Sequence, residues 1–228
     1  MHNSAQTINC DLLVIGSGAS GLATAVTAAH LGMKVIVLEK ESVFGGTSAW
    51  SGGWLWVPRN PLAVEAGIVE DISGPTEYLK NELGAGFDEE KVRAFLENAP
   101  AMIDFFRRKT SLQFIDGNKV PDFHGKTSGS VLGGRSVCAA PFDGRRLGKE
   151  LKRLRQPLDV ISLWGMGIAS GNDIKQFFNS TRSMSSFLYV TRRVLRHFKD
   201  LITHGQGTQL VNGNALVAGL AKSAFDKN

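Results

Sequence analysis

Two cysteines in 228 residues, Cys10 and Cys138, give no disulfide framework, and their separation matches no zinc spacing. This scarcity fits a reducing compartment, so a cytoplasmic location is expected. No apolar run approaches the roughly 20 residues that cross a bilayer, and the opening MHNSAQTINC lacks a signal-peptide core. Tyrosine is scarce, with only Tyr78 and Tyr189. No internal repeat is present. No nucleic-acid-binding motif accompanies the net charge of +5, so nucleic acid is not expected as a partner. Much of the basic charge falls in two groups, Arg145 to Arg155 and Arg192 to Lys199. These read as solvated helix faces, with an acidic substrate or a peripheral contact to an anionic membrane as alternatives.

What the chain does have is glycine, 26 residues of it, with two clusters near the start. The apolar run 11–16 (DLLVIG) reads as a buried parallel strand. Residues 19–31 read as a helix stopped by Gly32, and 34–39 (KVIVLE) as a second buried strand. Together they form a strand–helix–strand unit. Between strand and helix lies Gly16-Ser17-Gly18-Ala19-Ser20-Gly21. A bare GxGxxG is weak evidence, but here it follows a strand and opens a helix, as dinucleotide binding requires. Gly16 allows the tight turn, Gly18 lets backbone approach a diphosphate, and Gly21 lets helix pack on strand. The helix N-terminus offers unpaired N–H groups to the phosphates. Glu39 ends the second strand about 20 residues on, where an acid accepts hydrogen bonds from ribose hydroxyls.

The second cluster, Gly45-Gly46-Thr47-Ser48-Ala49-Trp50-Ser51-Gly52-Gly53, follows within a few residues. An NAD-type domain would continue with another helix and strand. A loop of glycines and hydroxyls fits instead a cofactor lying extended across the domain, which points to FAD.

Residues 14–40, with GGTSAWSGG after them, resemble the fumarate reductase/succinate dehydrogenase flavoprotein family. The continuation WLWVPRNP is similar to the 3-ketosteroid Δ1-dehydrogenase-like branch, as are the blocks at 133–148 and 212–224. The resemblance implies an α/β fold: a Rossmann-like FAD-binding domain, with parallel sheet and helices, and an incomplete, mainly helical substrate or cap region. It implies non-covalent FAD. Gly16, Gly18, Ala19, Ser20 and Gly21 would hold the diphosphate, with Glu39 on the adenosine ribose and Lys40 beside it. Gly46, Thr47, Ser48, Ser51, Gly52 and Gly53 would line the diphosphate–ribityl and flavin region. Trp50, Trp54 and Trp56 would wall the flavin or pack in the core.

The division implied is 1–61 for the first part of the FAD domain, 62–203 for the substrate side, and 204–228 for the start of a return to the FAD domain. Members of the family are longer, so the chain is expected to be an amino-terminal fragment whose catalytic residues lie past Asn228. The implied activity is oxidation or reduction at a CH–CH group, with a small apolar carbonyl or enone such as a steroid as substrate and an undefined electron acceptor. The alternative is a non-catalytic remnant that at most binds FAD. Where steroid dehydrogenases carry tyrosines, this chain has Pro121-Asp122-Phe123-His124, and His124 stands either for proton transfer or for solvated surface.

Helices are expected over 75–83, over 88–109 with Asp88 as N-cap and a kink at Pro100, and over 147–155. Further helices are expected over 187–203 and from about Asn214, and a strand over 158–163. In the 187–203 helix, Phe187, Leu188, Val190, Val194, Leu195, Phe198, Leu201 and Ile202 form the apolar side.

Overall fold

The structure, a computed structural model, describes residues 7–227. Strand β1 (Leu12–Ile15), helix α1 (Ala19–His30) and strand β2 (Val35–Leu38) form the expected unit. The strands pair in parallel, with Leu12 opposite Val35 and Ile15 opposite Leu38. The short apolar run reads as a strand buried on both faces, but among the described residues only one face is covered. Val14 is buried, whereas Leu13 and Ile15, which alternate with it, are exposed.

The segment after β2 holds a 3-10 turn at 46–50, strand β3 (Trp54–Trp56) and helix α2 (Pro61–Glu65). Helix α2 is capped by Asn60, whose side chain accepts from the Ala63 amide and donates to the Val57 and Gly134 carbonyls. Helix α3 (Ser73–Leu83) precedes α4 (Glu89–Lys109). Asp88 caps α4 as expected, accepting from the Lys91 amide. The helix continues through Pro100 as one element, burying Val92, Leu96, Ala99, Ile103 and Phe106.

Strands β4 (Phe114–Asp116) and β5 (Ser136–Ala139) join β3 in an antiparallel sheet of order β3-β5-β4. Strand β6 (Phe142–Asp143) pairs with β9 (Gln209–Leu210). The expected basic helix near 147–155 is a 3-10 segment over 144–153, broken at Gly148 by a φ of 56°. The expected strand at 158–163 is mostly a 3-10 turn. Only Ser162–Leu163 (β7) is extended, in a hairpin with β8 (Met166–Gly167). Helices α5 (Asn172–Phe178) and α6 (Met184–His204) follow.

Helix α7 (Asn212–Phe225) organises the core. Its residues from Gly213 to Ala221 are buried all round, as expected of a helix apolar on every side. It packs against α1 and the 46–50 turn. Leu22, Val26, Ile103, Phe106, Val217 and Ala221 belong to one apolar cluster that joins the front unit to α4 and α7.

Candidate cofactor site

The two glycine clusters meet. Gly16 has a φ of 95°, which only glycine adopts without strain. A Cβ on Gly21 would lie 2.1 Å from the Gly16 carbonyl oxygen, so this glycine lets α1 start directly on the end of β1. A Cβ on Gly46 would sit 3.6 Å from the Gly18 Cα, which brings the loop against the α1 N-terminus. Two hydrogen bonds fasten that contact. The Ala19 amide donates to Ser48 Oγ at 3.0 Å, and the Gly45 amide to Ser17 Oγ at 3.2 Å. The loop thus supplies the cap that α1 lacks, since Gly18 has no side chain to offer.

Glu39 closes the arrangement. One carboxylate oxygen accepts from the Ser17 amide at 3.0 Å and from the Ser17 hydroxyl, and the other from the Glu41 amide at 3.1 Å. The Ser17 hydroxyl, followed by the Glu41 amide, lowers its pKa from 4.5 to about 2. Glu39 is therefore an anion at neutral pH. Glu39 and Ser17 help line a cleft of about 460 Å³, together with Leu22, Ala25, Val37, Phe44 and Phe225.

The rest of the loop faces a different neighbour. Ser51 Oγ donates to the Ser48 carbonyl and accepts from the Gly53 amide, and the Ser51 carbonyl accepts from the Gly213 amide at 2.9 Å. A Cβ on Gly53 would lie 2.5 Å from the Asn212 carbonyl carbon, and one on Gly213 would lie 2.0 Å from the Ser48 oxygen. Asn212 itself adopts a φ of 55°. The Asn214 side chain donates to the Ala49 carbonyl at 2.7 Å. Residues 212–214 thus clamp the loop, a role that sequence reasoning did not assign to them. The available signal was the Asn-Gly-Asn triplet at the start of a helix. Lys40, Thr47 and Gly52 are exposed, and neither the Lys40 nor the Thr47 side chain makes a hydrogen bond among the described residues.

The tryptophans make packing contacts. The Trp50 indole N–H donates to the Gln156 carbonyl, beneath the Arg155 guanidinium. Trp56 stacks on Phe95 and donates to Asp122. A Cβ on Gly117 would lie 2.8 Å from the Trp54 ring. Asp122 turns inward to Arg135, which is 1% exposed and also holds Glu70 and the Gly129 carbonyl. Phe123 is fully exposed, and His124 contacts Glu82 at the surface. Cys138 is buried and its thiol is pushed up to about 11. No group of three or more potential metal ligands exists among the described residues, and no helix there is long and apolar enough to cross a membrane.

Residues 11–228 match the FAD binding domain family. The chain belongs to this family. The cofactor of the family is FAD, and the residues present suit it. No acceptor among the described residues takes the amides of Gly18, Ser20 and Gly21 at the α1 N-terminus, and the space a Gly16 side chain would fill is open. The chain is 39% identical over 222 residues to 4-oxocyclohex-2-ene-1-carboxylate 5-dehydrogenase of Sinomonas cyclohexanicum, covering 97% of this chain and 37% of that protein. It is 35% identical to 3-oxosteroid 1-dehydrogenase of Mycolicibacterium smegmatis, covering 67% of this chain and 27% of that one. The crystal structure of 3-ketosteroid delta1-dehydrogenase from Sterolibacterium denitrificans, in complex with 1,4-androstadiene-3,17-dione, superposes with a TM-score of 0.84 at 29% identity. That match covers 97% of this chain and 39% of the other. The chain therefore spans under two fifths of the length of these relatives.

Proposed function

We propose that this chain forms the nucleotide-binding part of a flavin-dependent dehydrogenase acting on a CH–CH bond beside a ring ketone. The carrying observation is the junction of the two glycine segments around Ser17, Ser48 and Glu39. In this reading the amides of Gly18, Ser20 and Gly21 hold the diphosphate, and Glu39 accepts the adenosine ribose hydroxyls through its remaining lone pairs. Gly46, Ser48 and Ser51 carry the cofactor's midsection onward, while residues 212–214 hold that loop in place. Bound FAD supplies the two-electron acceptor for a hydride from the substrate carbon. The substrate class rests on the two dehydrogenase relatives, both named for oxo compounds. A cytoplasmic location belongs to the same reading and is supported by two cysteines that remain free thiols.

The test begins with purified chain incubated with FAD and passed through gel filtration. Co-elution of the flavin absorbance with protein is expected. Anaerobic addition of 4-androstene-3,17-dione or a 4-oxocyclohexanecarboxylate should then perturb the absorbance band of the bound flavin. Retained flavin whose spectrum no ring ketone changes would defeat the substrate assignment and leave the cofactor assignment standing.

A further inference from the structure

Residues 166–173, the end of the β7–β8 hairpin and the start of α5, are held from two directions. Helix α6 holds one side. It turns Ser186, Arg193, His197 and Asp200 inward and leaves Leu188, Leu195 and Ile202, from its expected apolar side, exposed. Arg193 pairs with Asp173 at 3.0 Å and donates to the Gly167 carbonyl at 3.2 Å. The Tyr189 hydroxyl donates to Asp173 at 2.7 Å, and Asp173 also accepts from the Ala169 amide at 2.8 Å. Asn212, at the start of α7, holds the other side. Its side-chain amide donates to the Ile168 carbonyl at 2.9 Å, and its side-chain oxygen accepts from the Ser170 amide at 3.4 Å.

Asn212 meets the 48–53 loop through its backbone. A Cβ on Gly53 would lie 2.5 Å from its carbonyl carbon, and the next residue, Gly213, donates its amide to the Ser51 carbonyl. The Asn212 φ of 55° is one that glycine adopts freely and asparagine tolerates. The contact with the loop therefore needs no side chain at 212, and the side chain serves residues 168–170 instead. A cavity of about 40 Å³ separates loop and segment, lined by Ala49, Ser51, Met166, Gly167, Asn212 and Asn214. It has space for only a few waters, so movement on one side is felt on the other. We propose that Asn212 is a positioning residue that couples residues 166–173 to the 48–53 loop, so that order in that segment and affinity for FAD strengthen each other. The proposal rests on the cofactor reading. In that reading 166–173 belongs to the substrate side, and the link lets order there set the position of the cofactor loop.

Hydrogen exchange of the whole chain, read by mass spectrometry with and without FAD, tests the coupling. FAD should slow exchange of the amides at 166–173 as well as at 46–53. Linkage is reciprocal, so the slowing at 166–173 should match the factor by which losing the link weakens FAD, about fivefold or more. Asn212→Gly keeps the backbone angle and removes the link, and circular dichroism should show its fold unchanged. FAD should bind this variant about fivefold or more weakly. It should still slow exchange at 46–53 but no longer at 166–173. Gly167→Ala acts from the opposite side, since its methyl would lie 2.8 Å from Val211 Cγ2 and displace the segment. It should weaken FAD too, and combining it with Asn212→Gly should add little further loss, because both break one link. If Asn212 serves stability alone, Asn212→Gly lowers the melting temperature and leaves the FAD-dependent slowing at 166–173 in place, which overturns the proposal. So do losses of affinity that add in full. A chain that takes up no FAD ends the cofactor reading and this proposal together, whereas FAD retained without these effects ends this proposal alone.

Discussion

A methyl group at Gly21 would sit 2.1 Å from the Gly16 carbonyl oxygen, whereas one at Gly18 would meet only the Ser48 hydroxyl, at 3.4 Å. The first distance is impossible without moving backbone, and the second is ordinary contact. Gly21→Ala should therefore cost stability, by about 2 kcal/mol or more, because α1 must lift from β1. Gly18→Ala should stay within about 1 kcal/mol of the unaltered chain in urea unfolding. Equal losses for the two variants would contradict this geometry. Glu39 gives a second test. Its folded value, about 2, lies below its ordinary 4.5, so its contribution to stability is complete above 4.5 and fades as pH falls through about 2. Acid unfolding of Glu39→Gln should lack that part of the pH dependence, and identical acid profiles would show that the Ser17–Glu39 contact contributes nothing.

Elements were legible in the sequence where their determinants are local. Strand β1, helix α1 and strand β2 fall within a residue or two of expectation, because apolar runs and a glycine turn specify them over about 30 residues. Asp88 was equally readable as a cap. Two things were not. The clamp of residues 212–214 on the 48–53 loop joins segments more than 150 residues apart in sequence, which no periodicity reports. The orientation of α6 escaped because periodicity identifies an apolar side without saying which side faces inward. The deciding partners, Asp173, Thr208 and the Trp164 carbonyl, lie on other elements. The clamp can be tested directly. Asn214→Ala leaves the buried Ala49 carbonyl without its donor and should cost about 1–3 kcal/mol in thermal unfolding. FAD affinity should fall with it, and a change in stability with unchanged affinity would separate α7 from the cofactor loop. Arg135→Met tests the joint between α3 and the 118–135 segment. It strands the Asp122 carboxylate, whose side chain is 2% exposed, and should cost about 3–5 kcal/mol.

At the scale of the whole molecule, the front unit, the loop and the last helix form one assembly around the glycine junction, and α6 presents its apolar face away from it. Everything functional rests on that junction binding a flavin dinucleotide. Calorimetric titration of the chain with FAD tests this most directly. One FAD per chain is predicted, with affinity at least about tenfold weaker for Gly18→Ala, whose fold is intact, because a methyl there blocks the diphosphate. No heat of binding to the unaltered chain, or the same affinity in both proteins, would contradict the account.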